Sequence, residues 1–198
     1  MKNIKTIFLL LILLYLPANA QTDKALHDFE LSRQDINKNG MLILGSWALG
    51  NILLGTYGSI KTSGNTKHFH QFNAMWNVVN LGIAAFGYFN AAGSDPNSMT
   101  GMEIINGYNS LQKFLLLNAG LDVAYMVTGL YLKERAKNSS NTDRLRGYGN
   151  SLLLQGGFLL VFDVALYFIN QNNASVNLYP HLESLLNNGL GVGIRMGL

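Results

Sequence analysis

The stretch NSLLLQGGFLLVFDVALYFIN, from Asn150 to Asn170, decides the fold class. At about 1.5 Å per residue it makes a helix about 30 Å long, the thickness of a bilayer's hydrocarbon core. A soluble helix of that length keeps a charged face. Here the one fully charged residue is Asp163. Three further blocks share the pattern, from about Met41 to Ile60, Asn73 to Ala92 and Gln112 to Leu132. Across all four, only Lys113, Asp122 and Asp163 carry a full charge. The expectation is an all-α fold, a four-helix transmembrane bundle running up-down-up-down.

Upstream of the first block, Lys2 and Lys5 precede the apolar run Ile7 to Leu16, and Ala18-Asn19-Ala20 offers an A-x-A cleavage site. An apolar core of about ten residues is too short to span a bilayer comfortably. Residues 1–20 therefore read as a signal peptide, with an uncleaved anchor adding a fifth helix as the alternative. Residues 21–40 are polar and mixed in charge, which suits a short amphipathic lead-in helix on the outer surface. The four spans occupy residues 41–170, and residues 171–198 form an outer tail. The end of that tail alternates, with Leu190, Val192, Ile194, Met196 and Leu198 set against Gly191, Gly193, Arg195 and Gly197. Period-two alternation suggests a strand, here an interfacial or bundle-packed one.

Orientation follows from two independent arguments. Cleavage after Ala20 leaves the new N-terminus outside, so the first and third loops between spans are cytoplasmic. The positive-inside rule asks those loops to be basic. The first holds Lys61 and Lys67, and the third holds Lys133, Arg135, Lys137, Arg144 and Arg146. The loop between them, about Gly93 to Leu111, has no Lys or Arg. The chain is thus expected in the bacterial inner (cytoplasmic) membrane, multi-pass, with mature N- and C-termini outside.

The same clustering settles what the net charge of +3 means. The basic residues gather in two loops rather than in a stripe interleaved with aromatics, so no nucleic-acid partner is expected. The absence of cysteine excludes a disulfide framework, a thiolate metal site, a nucleophilic thiol and a lipoprotein anchor. No phosphate-binding glycine loop, zinc-protease helix or serine elbow is present. His68 and His70 have the look of a metal or haem pair, but no His lies within a span to complete a bis-histidine site. The surface reading is favoured, and neither a metal nor a cofactor is expected.

The informative residues are polar ones placed where lipid makes them costly. In span two, Asn73, Asn77 and Asn80 recur at three- and four-residue steps and share a face. Asn118, Asp122 and Tyr125 do so in span three, and Asp163, Tyr167 and Asn170 in span four, with Gln155 beside them. Span one contributes Trp47 and Asn51. Counting residues from the span ends places Asn51, Asn80, Asp122 and Asp163 within a slab of roughly 8 Å about the midplane. Small residues, among them Gly50, Gly55, Gly120, Gly129 and Gly156, are expected to let the helices approach closely. An intramembrane asparagine is most simply a hydrogen-bonding link between helices. A carboxylate costs about 2.5–3.5 kcal/mol at that depth and is paired, protonated or used. The candidate binding cluster is therefore Asp122, Asp163, Asn118, Asn80, Asn77 and Asn51. No residue is assigned a catalytic role.

The segments HFHQFNAMWN (68–77), LNAGLD (117–122) and RGYGNS (146–151) resemble small uncharacterised four-span integral membrane proteins of Bacteroidota-type bacteria. The resemblance covers about Asn39 to Asn170 and implies a bundle, with no activity or site to carry over. The leading expectation is binding or translocation of a small polar solute, ion or proton at the midplane acids. A structural or accessory subunit of a larger membrane complex is the second reading. A membrane enzyme acting on a lipid-like substrate is the third. The expected partners are the lipid bilayer and either a homo-oligomer or a membrane complex.

Overall fold

The computed structural model describes residues 2–187, with side chains from Lys24 onward. The expected signal peptide (1–20) and the alternating end of the tail (190–198) fall outside those described side chains. Four long helices dominate: α1 (Lys2–Lys61), α2 (Gly64–Gly93), α3 (Gly101–Arg135) and α4 (Thr142–Asn177). A short α5 (Tyr179–Asn187) follows, and 3-10 turns lie at Pro96–Ser98 and Ala136–Asn138. Each expected span lies inside one of the long helices.

The ends of these helices are set by local chemistry. Only Thr62 and Ser63 separate α1 from α2, and Gly64, at φ +59°, takes the left-handed conformation that so tight a link requires. Before α3, Thr100 and Glu103 form a reciprocal capping box. Thr100 N donates to Glu103 Oε2 at 2.7 Å, and Glu103 N donates to Thr100 Oγ1 at 3.3 Å. In the preceding turn, Asn97 N donates to Asp95 Oδ1 at 3.0 Å. That bond holds the Asp95 carboxyl below the usual carboxylate range.

Two hairpins result, α1 with α2 and α3 with α4, and α4 joins them by packing against α2 and α1. Glycines set the close approaches. A Cβ on Gly55 would lie 2.8 Å from the His70 carbonyl oxygen, and one on Gly129 would lie 2.7 Å from that of Gly149. A Cβ on Gly156 would lie 2.9 Å from the Asp122 carbonyl oxygen. By contrast, Gly50, Gly82, Gly120 and Gly157 meet nothing within 4 Å, so only part of the glycine set works as helix contact. The others sit where their helix faces no neighbour. α2 and α3 scarcely touch, which leaves a gap along one side of the bundle.

Burial is inverted relative to a water-soluble protein. Asn73, Asn77, Asn80, Asp122, Gln155, Asp163 and Asn170 are buried, while Leu53, Leu54, Val78, Phe86, Leu117, Val161 and Phe168 are exposed. Among the described residues, helical segments within Lys24–Lys61, Gly101–Asn138 and Thr142–Leu186 are long and apolar enough to cross a membrane. Helix α2 is not among them. Asn73, Asn77, Asn80 and Asn90 dilute its apolar residues, though the first three turn inward.

The lead-in differs from a separate surface helix. Residues 24–40 continue α1 without a break, and Phe29 and Glu30 are fully buried. Leu26 and Phe29 join Ile104 and Tyr108 of α3 with Ala174 and Leu178 near the end of α4 in an apolar cluster. The i, i+3 step from Leu26 to Phe29 supplies a narrow apolar edge, which α3 and α4 cover because they extend beyond the expected spans.

The glycine contacts give a direct check. Gly129→Ala forces α3 and α4 apart and is expected to lower stability by about 1–3 kcal/mol. Gly120→Ala meets open space and is expected not to lower it. Thermal unfolding in mild detergent measures both.

Candidate functional site

The inward polar residues sort into two groups. The first is a hydrogen-bonded link across three helices. Asn51 Nδ2 on α1 donates to the Trp47 carbonyl at 2.8 Å, and its Oδ1 accepts from Asn73 Nδ2 on α2 at 2.7 Å. Gln155 Nε2 on α4 donates to Asn73 Oδ1, and Gln155 Oε1 accepts from Trp47 Nε1 at 3.1 Å. Asn77 Nδ2 donates to the Asn73 carbonyl at 2.8 Å and its Oδ1 accepts from Asn80 at 3.4 Å. Each amide here is committed to a neighbour. Asn51, expected in the binding cluster, is therefore a helix-to-helix link in this arrangement, and Asn77, also expected there, is bonded within α2.

The second group faces a cavity of about 660 Å³ in the gap between α2 and α3, with α1 and α4 as its other walls. One end of the cavity is lined by Glu30, Arg33 and Gln34. The other end holds Asp122, Asp163, Asn80, Asn118, Trp76 and Tyr125. Between them the walls are apolar, with Ile83 and Phe86 opposite Phe114 and Leu121. Four of the six expected residues thus gather at one end of a single cavity, and two stand behind it. Aromatic rings close that end. Trp76 meets Tyr125 edge-on at 4.8 Å, and Phe72 lies against Trp76 at 5.8 Å and Tyr148 at 4.7 Å.

The structure brings the two acids together, which spacing along separate helices does not determine. Asp122 and Asp163 are buried, and their carboxyls face each other at hydrogen-bonding range. Neither carboxylate can donate, so a bond between them needs a proton on one. Asp122 Oδ2 is buried with no donor. Among the described residues, the one basic side chain on the cavity wall is Arg33, at the far end. Arg33 is already engaged, donating to Glu30 Oε2 at 2.7 Å through Nε and to Oε1 at 2.6 Å through Nη2. The acid pair is a negative site that no protein cation neutralises, among the described residues.

The Glu30–Arg33 pair was not in the expected cluster. Its i, i+3 spacing is visible in the sequence, but in a polar segment that spacing fits an exposed helix equally well. Burial of Glu30 against Gln34, whose Nε2 donates to Glu30 Oε1 and to the Ser94 carbonyl, both at 3.3 Å, appears only in three dimensions. A separate buried network joins Tyr108 and Gln112 of α3 to Gln171 of α4, with Tyr108 Oη donating to Gln171 Oε1 at 2.6 Å. It lies outside the cavity and ties the same ends of α3 and α4.

The histidines do not converge. His68 is half-buried and lies 3.1 Å from Gln71 Oε1, whereas the His70 ring packs over Gly58 with Nδ1 buried. Among the described residues, no group of three or more His, Cys, Asp or Glu is placed to hold a metal ion. Asp122 and Asp163 together offer two carboxyls.

Among curated proteins and among solved structures, nothing matches the chain. A family described as a family of unknown function, DUF6992, matches residues 43–164, a range that takes in Asn51, Asn73, Asn80, Asn118, Asp122, Gln155 and Asp163. With more than half of its length matched, the chain belongs to the DUF6992 family.

Proposed function

We propose that this is a four-span integral membrane protein that holds a proton or a small cation at the Asp122–Asp163 pair, reached through the cavity between α2 and α3. One observation carries the reading: two buried carboxyls face each other at one end of a cavity in which Arg33, the only basic lining residue among those described, is already paired. Two ionised carboxylates side by side in a medium of low dielectric repel strongly. A proton shared between them, or a cation placed against them, removes that repulsion. Intramembrane acids of this kind commonly mark ion and proton sites.

The membrane setting rests on the inverted burial. α2 has no segment long and apolar enough to count as a span by itself, yet it presents Met75, Val78, Val79, Phe86 and Phe89 outward, which suits a lipid-facing fourth span. The topology is up-down-up-down, with residues 1–20 removed as a signal peptide and both mature ends outside. The basic residues at the α1–α2 and α3–α4 links, and their absence from the α2–α3 loop, support that orientation. The Glu30–Arg33 mouth then lies toward the outside and the aromatic closure toward the cytoplasm. The site therefore suits loading from the outer side, and passage further in needs a rearrangement.

A second reading has its own support. The open flank between α2 and α3 is also a seat for a helix of a larger complex, in which the protein would be an accessory subunit. Co-purification of a defined partner, lost when Phe86 and Phe114 are replaced by Ala, distinguishes it.

Two outcomes test the leading reading. Asp122→Asn keeps size and hydrogen bonding while removing a buried charge, and is expected to raise stability by about 1 kcal/mol, the trade-off common at functional sites. Asn73→Ala strands Asn51 and Gln155 and is expected to lower it by about 1–3 kcal/mol. In titrations with Na⁺, K⁺ and methylammonium, at least one cation, or a fall in pH, is expected to raise the Tm of the wild type and not of Asp122→Asn. Proteoliposomes carrying a pH-sensitive dye report proton flux. No cation or pH effect on Tm, together with vesicles equally tight with and without the protein, overturns the reading.

A further inference from the structure

At the α3–α4 link, a second and smaller cavity of about 370 Å³ is lined by Leu130, Lys133, Glu134, Lys137, Arg146 and Asn150. Three of these six residues are cationic and one is acidic. Glu134 is taken by Lys137, whose Nζ lies 2.6 Å from Glu134 Oε2. Lys133 and Arg146 have no ion-pair partner among the described residues. The cavity therefore carries two uncompensated positive charges, supplied by two different helices.

The cavity is held in shape by its surroundings. Gly129 and Gly149 bring α3 and α4 together directly beside it, and the Lys133 stem packs on Gly149, where an added Cβ would lie 2.8 Å from Lys133 Cγ. Ala136, fully buried, anchors the 3-10 turn that carries Lys137 back over the cavity. Asn150 adds an amide. Leu130, one turn before Lys133 on α3, is 57 % exposed and belongs to the outward-facing apolar set. The cations thus stand at the edge of the apolar part of α3, which on the membrane placement proposed above is the depth of lipid headgroups.

We propose that the link ends of α3 and α4 form a binding site for the phosphodiester headgroup of an anionic phospholipid. Arg146 offers a planar guanidinium that matches phosphate oxygens two at a time. Lys133 supplies a point charge from the facing helix, Asn150 a hydrogen bond to the headgroup, and Leu130 a surface for the acyl chains. Leu130 is what favours a lipid over a soluble phosphate, which gains nothing from an apolar neighbour. Basic pockets between spans on the cytoplasmic side are a known setting for anionic headgroups. The site is separate from the acid pair and stands whether or not that pair binds a cation.

The test measures phosphatidylglycerol binding to the full chain by native mass spectrometry and by thermal shift in mild detergent, against phosphatidylcholine. Net charge alone attracts anionic lipid, so two double variants of equal charge are compared. Lys133→Gln with Arg146→Gln removes the cavity's unpaired cations, and Arg135→Gln with Arg144→Gln removes two others near the same link. Each surface cation contributes roughly fivefold to affinity for an anionic membrane, so the cavity double variant is expected to bind phosphatidylglycerol about 25-fold more weakly. The control double variant is expected to lose clearly less. Arg146→Lys, which keeps the charge but not the planar fork, is expected to lose an intermediate amount and guards against misfolding of the double variant. Equal losses in the two double variants, or equal binding of phosphatidylcholine, overturn the proposal. A stabilisation by inorganic phosphate or glycerol phosphate that matches the lipid's also overturns it, because the site then reads free phosphate.

Discussion

A polar side chain within a helix that faces hydrocarbon has nowhere to turn but inward, and on the membrane placement proposed for this chain much of its structure follows from that constraint. In water an asparagine on a helix surface is satisfied wherever it points. In lipid the unsatisfied group costs free energy, and only the bundle interior offers partners. Asn51, Asn73 and Gln155 answer by bonding one another across α1, α2 and α4, so that one cluster of amides fixes the mutual rotation of three helices. Once those rotations are fixed, Leu53, Val78 and Phe168 have only the outside left to face.

Close approach completes the arrangement. In a bilayer, as proposed, apolar side chains gain little by leaving lipid tails for each other, so the helices would depend on backbone proximity and packing. Gly55, Gly129 and Gly149 supply it by removing the atoms that would otherwise hold the axes apart. The pairing is uneven. α3 is fastened to α4 and barely to α2, and the polar link that ties α1, α2 and α4 has no member on α3. The cavity is the consequence, a space left where two helices are each held by a third rather than by each other.

The acids belong to that space. Asp122 and Asp163 come from the two tightly joined helices α3 and α4, next to the Gly156 contact that lets the backbones meet. The contact that builds the hairpin is therefore also what sets two like-charged groups side by side. An Asn–Asn pair would satisfy the same geometry without the charge, and this contrast is what favours the proposed proton or cation site. At the opposite end of the cavity, Glu30 and Arg33 neutralise each other, so charge is balanced at the mouth and left unbalanced at depth.

Much of this was legible in residue order. The apolar lengths defined the helices, and the three- and four-residue recurrence of Asn73, Asn77 and Asn80 told which face of α2 turns inward, because helix period and polarity are local properties. The same logic flagged Asp122 and Asp163 as costly. The role of each polar residue was not legible, since a side chain's partner sits on another helix and depends on rotation and register. Asn51 and Asn77 therefore looked equivalent to Asn80 and Asn118 until packing set Asn51 as a link to α2 and Asn77 as a bond within α2, both apart from the cavity lining. Glu30 was hidden because polarity along residues 21–40 fits an exposed helix, and burial there comes from α3 and α4 reaching past their apolar segments. The sequence by itself determined an all-helical chain with inward polar faces, from periodicity and the cost of charge in lipid. Only tertiary structure decided that two acids meet at one end of a cavity, because that meeting depends on how closely glycines let α3 and α4 approach.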